Sequence, residues 1–437
     1  MSFPHRSYDL VLRALRGVSP LASGGDSKLA RGLRARRGAV RTFVEWAARE
    51  RQPGRPLVWF HAPSVGEGLQ ARAVMEALAE QEPELQMAYT HFSPSAEGLA
   101  RKIPADVAGY LPWDTRREVE EVIAALQPRL LAFTKTEVWP GLARAAREAG
   151  ATVVLVAATL PEEAGRLRWP ARSLLRPVFG SLDRVLAISP DDADRFQRLG
   201  VEPDTVEVTG DPAIDSARVR VLDADPEASY LAPFRRPRRP TLVAGSTWEP
   251  DEAVLVPAAS RLRDRLPDLR LLIAPHEPGE AHLGRLEEEL GAAHWRTARL
   301  AQVEERGEVG EVDAVLVDRV GVLAHLYIVG HVAYVGGGFH RHGLHSVVEP
   351  AAAGLGVVFG PGHQNARAAG DLLEVGGGVE VADAHELADA LARWFTPPER
   401  GREAGELARG YIEEHGGAAA RTAEALRPFL LDAPVRD

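Results

Sequence analysis

The sequence predicts an α/β protein of two Rossmann-like domains, each a parallel sheet covered by helices on both faces. Short, continuously apolar segments of strand length alternate with amphipathic segments of helical period. Strands that are buried on both faces have this continuous apolar character. At 437 residues the chain is also longer than one ordinary core requires. In such a tandem, ligands are expected in an interdomain cleft beyond the strand ends.

The first run of alternating segments extends to about residue 218. Its predicted strands are Pro56–His61, Leu85–Thr90, Val107–Leu111, Leu130–Thr134, Ala151–Ala157 and Arg184–Ile188. The clearest predicted helices between them are Glu67–Leu78, Arg116–Leu126 and Val138–Ala149.

Residues 219–240 interrupt this rhythm with four prolines and a cluster of arginines, a composition typical of a linker. The alternation then resumes with the helix Pro250–Leu266. The strands predicted here are Thr241–Ala244, Leu269–Ala274, Ala314–Val317, Val332–Val335 and Val357–Phe359. We therefore expect domains at 46–218 and 241–437, and the last helices could pack back on the first domain.

The composition excludes several classes of protein. Apolar residues make up 45% and charged residues 26%, as in globular proteins. The absence of cysteine excludes disulfides, thiolate nucleophiles and cysteine-ligated metals. A net charge of −10 argues against a nucleic-acid partner. No apolar run approaches the length of a bilayer span or a signal-peptide core, which predicts a cytoplasmic protein.

Residues 1–45 form a basic segment in this acidic protein. Nine Lys and Arg residues stand before Glu45 against only Asp9 and Asp26, and Leu10, Leu12 and Leu15 lie among them. Such a segment could face an anionic membrane surface, or it could be an ordinary solvated helical face. The basic residues are Arg6, Arg13, Arg16, Lys28, Arg31, Arg34, Arg36, Arg37 and Arg41.

Two loops of the first domain carry carboxylates directly after predicted strands. In His61–Gly68, Glu67 falls at the start of the next helix, where a general base is expected or where a carboxylate simply complements the helix dipole. In Thr134–Pro140, Lys135 and Glu137 lie two residues apart and could point to one side of extended backbone. They could equally form a surface ion pair that contributes less than about 1 kcal/mol.

Two loops of the second domain are rich in glycine and hydroxyl groups. In Ala244–Glu249, Ser246 and Thr247 are suited to a phosphate, or to capping a helix. In Gly336–Pro350 three glycines permit close approach to a ligand, a helix is expected from Ser346, and Glu349 could accept hydrogen bonds from a ribose diol.

Four histidines in the span from Gly336 to Asn365 could suggest a metal. The spacing of His340, His342 and His345 does not match helical i, i+4 pairing, and no acidic ligand accompanies them, so we predict no metal site.

Taken together and in order, these loops resemble the Kdo (3-deoxy-D-manno-octulosonic acid) transferase family, which has the GT-B fold. The resemblance extends from Pro56 to Val381. Its six motifs are HAPSVGEG at 61–68, TKTEVWP at 134–140, VTGDPAID at 208–215, AGSTWEPDE at 244–252, the glycine-rich stretch 336–350 and GPGHQN at 360–365.

The resemblance implies an inverting transfer of Kdo from CMP-Kdo to a lipid A precursor, with no metal and no cofactor. It implies a peripheral location on the cytoplasmic face of the inner membrane. Glu67 would be the general base. The residues assigned to the acceptor are Ser64, Gly66, Lys135 and Glu137, and those assigned to the donor are Ser246, Thr247, His276, Gly337, Gly338, Ser346, Glu349 and Asn365.

The chain departs from the family pattern at four places. Pro275-His276-Glu277 lacks an arginine of the family, and we expect His276, as an imidazolium, to replace part of its charge. Ser346 stands in place of an asparagine and Ala213 in place of a lysine, and the segment 158–163 lacks its arginine.

Three other interpretations therefore stay open. The chain could be another GT-B enzyme that uses a UDP-sugar, as a transferase or as an epimerase. It could also be a catalytically silent relative that binds lipopolysaccharide precursors. A dinucleotide-dependent oxidoreductase is disfavoured because no G-x-G-x-x-G motif follows the first strand.

Overall fold

A computed structural model describes residues 8–9, 12–14, 16–17, 28–162, 164–235 and 238–431. Their backbone contacts divide them into two compact units. The first contains the described residues up to Ser216 and those from Gly416 onward, and the second is Ala217–His415.

The first unit is built on a seven-stranded, fully parallel sheet with the order β3-β2-β1-β4-β5-β6-β7. The six predicted strands are confirmed within one or two residues, and a short seventh strand was not predicted. The strands are β1 (Leu57–His61), β2 (Gln86–His91), β3 (Val107–Tyr110), β4 (Leu130–Thr134), β5 (Thr152–Ala158), β6 (Arg184–Ala187) and β7 (Val206–Val208).

Both faces of this sheet are covered, which explains the continuous apolar runs. Within β1, Leu57 and Trp59 pack into one hydrophobic cluster, whereas Val58 and Phe60 pack into the other. The covering helices are α1 (Lys28–Arg36), α2 (Ala39–Glu50), α3 (Val65–Gln81), α4 (Glu97–Ala100), α5 (Arg116–Leu126), α6 (Pro140–Glu148), α7 (Ala171–Phe179) and α8 (Pro190–Leu199).

The C-terminal helices α18 (Ala418–Leu426) and α19 (Pro428–Leu431) complete the first unit. Leu426 joins the hydrophobic cluster that α3 and β1 share. The Asp215 carboxylate accepts hydrogen bonds from the N–H groups of Gly417 (2.6 Å) and Ala419 (2.7 Å) at the start of α18. These contacts fix the position of α18 against the rest of the first unit.

The second unit contains another seven-stranded parallel sheet, with the order β10-β11-β9-β8-β12-β13-β14. The predicted α/β class with two Rossmann-like units is therefore confirmed. The strands are β8 (Thr241–Thr247), β9 (Arg270–Pro275), β10 (Thr297–Arg299), β11 (Ala314–Leu316), β12 (Val332–Val335), β13 (Gly356–Phe359) and β14 (Gly378–Glu380).

Residues expected in the linker belong to this second unit where they are described. Leu231 and Phe234 are buried in its hydrophobic core, so this segment is packed rather than extended in solvent. The helix α9 (Pro212–Leu222) precedes it. The other helices are α10 (Glu249–Arg263), α11 (Glu280–Ala292), α12 (Leu300–Arg306), α13 (Leu323–Leu326), α14 (Val348–Ala352), α15 (Arg367–Val375), α16 (Ala384–Phe395) and α17 (Pro398–His415).

The basic N-terminal segment contains one buried arginine. Arg36 is only 4% exposed and donates hydrogen bonds to the carbonyls of Leu111 (3.0 Å) and Pro112 (2.9 Å). Its guanidinium carbon lies 4.4 Å from the ring centroid of Trp113. Of the nine basic residues listed for this segment, Arg36 is therefore not available to a membrane surface, because its charge is enclosed by protein. None of the described helices is long and apolar enough to span a membrane.

A buried carboxylate caps the helix that follows β4. Asp114 is 2% exposed and accepts hydrogen bonds from the Tyr8 hydroxyl (2.8 Å) and from the N–H groups of Gly141 (2.8 Å) and Leu142 (2.6 Å). These two N–H groups belong to the first turn of α6, which lacks intrahelical partners. Burial raises the pKa of Asp114 to about 6, although its hydrogen bonds act in the opposite direction.

We expect Asp114 to make stability depend on pH between its unfolded and folded pKa values. Because the folded pKa is raised, folding favours the protonated form. This contribution is full below the unfolded pKa of about 4 and is lost as pH rises through about 6. Denaturation of wild type and Asp114→Asn should therefore show the wild-type advantage shrinking by on the order of 2 kcal/mol from pH 4 to pH 7.

Asp194→Asn is the matched control, since Asp194 is exposed on α8. A constant difference between Asp114→Asn and wild type across this pH range would contradict the assignment.

Candidate functional site

The predicted loops of the first unit leave the sheet side by side. Strands β1 and β4 are neighbours in parallel register, with His61 opposite Phe133. The loop that carries Ser64 and Glu67 and the loop that carries Lys135 and Glu137 therefore begin at the same edge of the sheet. The site residues predicted in these two loops therefore lie close together.

Glu67 has one carboxylate oxygen near a cation and one oxygen that is not engaged. Its side chain is 19% exposed, and Oε1 lies 4.0 Å from Nζ of Lys135. Its Oε2 is buried and makes no hydrogen bond within the described part of the chain. Glu67 occupies the first turn of α3. A carboxylate with an unengaged oxygen is available to accept a proton from a bound hydroxyl.

Tyr89 on β2 is a second polar group near Glu67 that the sequence did not indicate. Its side chain is fully buried, and its hydroxyl also makes no hydrogen bond to any described residue. Burial raises the pKa of Tyr89, and the charge of Glu67 adds to this shift. A Cβ atom at Gly68 would lie 2.7 Å from the Tyr89 hydroxyl, so glycine leaves this hydroxyl its space beneath α3.

The structure pairs Lys135 with Glu67, whereas the spacing suggested that it would point with Glu137. Lys135 has φ of +68°, so the backbone between Lys135 and Glu137 is not extended and the two-residue alternation does not apply. Burial raises the pKa of Glu137, and the charge of Glu67 adds to this effect, while Arg166 and Arg36 oppose it.

Asp211 is a third carboxylate at this edge, on the residue before α9. It accepts hydrogen bonds from Nε2 of Gln70 (2.8 Å) and from the N–H of Ala213 (2.9 Å). Burial raises the pKa of Asp211, and the positive charge of Lys135 opposes this shift. Its motif, VTGDPAID, was recognised in the sequence, but this carboxylate was not assigned to the site.

A buried histidine fixes the floor of the first-unit site. The Nε2 of His61 accepts a hydrogen bond from the indole N–H of Trp139 (3.2 Å), and Nδ1 lies 3.0 Å from the hydroxyl of Thr90. Burial lowers the pKa of His61 to about 3, so the ring is neutral. Since Nε2 accepts, Nδ1 carries the proton and donates to Thr90. This chain of bonds orients Trp139 at the end of the second loop.

In the second unit, a buried carboxylate holds the glycine-rich loop. Asp251 on α10 accepts hydrogen bonds from the N–H groups of Gly337 (2.8 Å) and Phe339 (3.2 Å) and from that of Trp248 (3.0 Å). The loop after β12 is thereby tied to the loop after β8. A Cβ atom at Gly338 would lie 2.5 Å from the backbone nitrogen of Gly360. The loop after β12 is therefore in backbone contact with the loop after β13.

The two hydroxyl residues of the Ala244–Glu249 loop differ in their surroundings. Ser246 has φ of +55° and is partly exposed, which leaves it at the surface of the loop. Thr247 is fully buried and donates its hydroxyl hydrogen to Oε1 of Glu252 (2.8 Å). Glu252 also binds Nε2 of His282 at 2.9 Å and Arg285 at 2.6 Å. The Thr247 hydroxyl thus serves the packing of the loop in this conformation.

The residues expected around the ribose are arranged differently from the sequence prediction. The helix α14 begins at Val348, so Ser346 is exposed and precedes the helix instead of starting it. The carboxylate of Glu349 is mostly buried and forms an ion pair with Arg220. The amide of Asn365 binds both backbone groups of Leu344, accepting from its N–H (3.0 Å) and donating to its carbonyl (2.9 Å).

Four histidines gather around Trp248, although their spacing did not predict it. The Trp248 ring stacks on His340 at 4.6 Å between centroids and contacts His276 at 4.7 Å, and His276 stacks on His345 at 4.3 Å. The fourth, His342, contacts His340 edge to face at 4.5 Å. Within the described ranges, no group of three or more His, Asp or Glu side chains is arranged to hold a metal ion.

The tryptophan fixes the protonation of His345. Its indole N–H donates to Nε2 of His345 at 2.9 Å, so this nitrogen carries no proton. Burial lowers the pKa of His345 to about 4, and the neighbouring imidazoles add to the effect. Within this histidine cluster (His276, His340, His342 and His345), Trp248 thus sets the tautomer of His345 and lies against the rings of His276 and His340.

Comparison with known proteins identifies relatives that cover most of the chain. A family model described as "3-Deoxy-D-manno-octulosonic-acid transferase (kdotransferase)" matches residues 31–216. The 3-deoxy-D-manno-octulosonic acid transferase of Bordetella pertussis is 31% identical, over 95% of this chain and 98% of that protein.

Solved structures of different enzymes share the fold. The UDP-GlcNAc 2-epimerase of Neisseria meningitidis bound to UDP-GlcNAc aligns with a TM-score of 0.59 and 13% identity, over 86% of this chain and 99% of that one. A glycosyltransferase from Rickettsia africae aligns with a TM-score of 0.57 and 12% identity, over 86% and 98%. At this identity the likeness concerns the fold alone.

We expect Trp248→Phe to raise the pKa of His345. The phenyl ring keeps an aromatic face toward the histidine cluster but removes the N–H that occupies Nε2, which can then take up a proton. The pH titration of the His345 ring by NMR should move upward from about 4. Trp295→Phe, which removes an indole donor to Ser260 elsewhere in the second unit, is the control. An unchanged titration in Trp248→Phe would refute the role given to the indole.

Proposed function

The chain belongs to the 3-deoxy-D-manno-octulosonic acid (Kdo) transferase family, and we propose that it transfers Kdo from CMP-Kdo to a lipid A precursor with inversion. It is therefore a glycosyltransferase. The observation that carries the proposed mechanism is Glu67, whose buried Oε2 is unengaged within the described residues while Oε1 faces Lys135.

Inversion requires a single displacement at the anomeric carbon. A hydroxyl oxygen of the acceptor forms the new bond to that carbon, the bond to the phosphate oxygen of CMP breaks, and CMP leaves with the electron pair. The hydroxyl proton passes to Glu67 as general base. Lys135 places a positive charge 4.0 Å from Oε1 of this carboxylate. The remaining negative charge on CMP must be stabilised by donors of the second unit.

The acceptor is assigned to the first unit. Ser64 and Gly66 flank Glu67 in its loop, and Ser64 precedes the helix as its N-cap residue. Glu137 lies near enough to Glu67 for the charge of Glu67 to add to the raised pKa of Glu137. The carboxylate of Glu137 can accept a hydrogen bond from a sugar hydroxyl. We assign these three residues and Lys135 to acceptor binding.

The donor is assigned to the second unit. Gly337 and Gly338 are assigned to the donor through the loop that they shape, in which a Cβ atom would meet the backbone of Gly343 or Gly360. Ser246 offers a partly exposed hydroxyl. Glu349 would accept the ribose hydroxyls, which requires Arg220 to release it or to share it. Asn365 would act by holding Leu344, and Thr247 by packing its loop against Glu252.

Two further residues complete the proposed donor site. His276, stacked between Trp248 and His345, would face the phosphate as the partial substitute for arginine. Ser346 would contribute from its exposed position before α14. The lipid-anchored acceptor places the proposed site of action on the cytoplasmic face of the inner membrane.

A UDP-sugar enzyme is the competing assignment. Structures with this fold include an epimerase bound to UDP-GlcNAc, so the fold alone does not select the nucleotide. Family membership favours CMP-Kdo. A catalytically silent relative is disfavoured because the base, its lysine and Glu137 are all present at one edge of the sheet.

Glu67→Gln should lower turnover while leaving donor binding intact. The amide keeps the size of the side chain but cannot accept a proton, and loss of a general base costs about 10²–10⁴ in rate. The measurement is Kdo transfer to a lipid A precursor, followed by product mass. Glu76→Gln, at a partly exposed position of the same helix α3 where the carboxylate pairs with Arg72, should retain wild-type turnover. Near-full activity of Glu67→Gln would exclude the proposed mechanism.

The nucleotide can be identified by thermal shift. CMP should raise the melting temperature of the protein, and UDP at the same concentration should raise it less, since only a ligand that binds the folded state stabilises it. Glu349→Gln should weaken the CMP shift because its amide is a poorer acceptor for the ribose diol. Glu374→Gln, exposed on α15, is the control. A larger shift with UDP would support the UDP-sugar alternative.

A further inference from the structure

The segment around α7 exposes large apolar side chains between arginines. Trp169 is 84% exposed and Leu174 is 71% exposed, which are unusual values for residues of this size. We call residues 166–176 the α7 surface. Its arginines are Arg166, Arg168, Arg172 and Arg176.

The position of this surface is fixed by packing on its inner side. Leu167 and Leu175 pack against the first-unit core, and Phe179 at the end of α7 is buried within it. The outward direction of Leu174 is therefore a consequence of the helix, since its neighbour Leu175 points inward. Trp169 and Leu174 are presented on a supported element, not on a free chain end.

The charge of the α7 surface is opposite to that of the protein as a whole. Residues 164–182 contain four arginines and neither Asp nor Glu, in a chain of net charge −10. Arg168, Arg172 and Arg176 are exposed. Before this stretch, Glu162 is paired with Arg195 (3.0 Å) and Arg198 (3.0 Å), which neutralise it. Cationic and apolar side chains on one surface match an anionic lipid bilayer.

The α7 surface adjoins the proposed acceptor site. Arg166 donates a hydrogen bond to the carbonyl of Thr136 at 3.0 Å. The next residue is Glu137, and the positive charge of Arg166 lowers the pKa of that carboxyl group against the effect of burial. A lipid held at this surface would therefore have its headgroup within reach of the loop that carries Glu137.

We propose that the α7 surface docks the protein on an anionic phospholipid bilayer. Trp169 and Leu174 enter the boundary between headgroups and acyl chains, where indole rings are favoured, and the arginines bind lipid phosphates. The inference that a docked lipid acceptor reaches the loop of Glu137 rests on the proposed function. The docking of the protein on the bilayer does not. The buried Arg36 of the N-terminal segment cannot make such contacts.

The test is co-sedimentation of the full chain with vesicles of phosphatidylcholine alone or mixed with phosphatidylglycerol. Wild type should bind the mixed vesicles at low salt, bind the neutral vesicles far more weakly, and be released by high salt. Arg168→Ser/Arg172→Ser should weaken binding about 25-fold, at about fivefold for each arginine. Trp169→Ser/Leu174→Ser should weaken it at least about tenfold, through lost burial of apolar surface.

The controls are exposed positions of the same kinds in the second unit. Arg400→Ser/Arg402→Ser removes two exposed arginines, and Val320→Ser removes a side chain that is 75% exposed. Both should bind vesicles like wild type. All variants should keep the wild-type melting temperature, because the altered side chains are exposed.

Three outcomes would overturn the proposal. One is equal binding of wild type to neutral and anionic vesicles. Another is unchanged binding of both α7-surface variants. The third is loss of binding only in Arg31→Ser/Arg34→Ser/Arg37→Ser, which would assign docking to the N-terminal segment. With an acceptor dissolved in detergent, the α7-surface variants should turn over like wild type. If wild type shows no turnover in detergent, the proposed function is contradicted. The vesicle experiment then still decides whether the α7 surface docks on the bilayer.

Discussion

All strands of each sheet run parallel, and this constraint determines where chemistry can occur in either unit. A parallel connection must cross a face of the sheet, so every strand is followed by a loop at its carboxyl end and then by a covering helix. Loops from neighbouring strands therefore meet at one edge. Glu67 and Lys135, 68 residues apart in the chain, approach to 4.0 Å for this reason, because β1 and β4 are neighbours.

Loops gathered in this way need fixed shapes, and buried carboxylates provide them. Asp251 binds N–H groups of two loops in the second unit, Asp114 binds the first turn of α6, and Asp215 binds the first turn of α18. Each accepts hydrogen bonds from backbone N–H groups of loops or of first helical turns, which lack partners within a helix. The loops that carry the candidate site residues are thus positioned by carboxylates that are not themselves assigned to the site.

The sequence predicted the features that follow from burial and period. Every strand with a continuous apolar run was found, whereas β7, β10 and β14 contain polar residues or glycine and have no such run. Glu67, Glu137 and the glycine-rich loop were located because motif and strand end coincide. The burial of Arg36 and the contacts of Lys135 and the histidine cluster were not predictable, because they depend on a positive φ or on neighbours distant in the chain.

The return of α18 and α19 to the first unit makes the second unit an insertion within it. Translation proceeds from the N-terminus, so Ala217–His415 is synthesised before the helix that contributes Ala423 and Leu426 to the cluster of α3. During that interval the apolar side of α3 lacks its last cover, and nascent chains expose it to chaperones or to one another. The second unit has no such dependence, because its contacts come from one continuous stretch of chain.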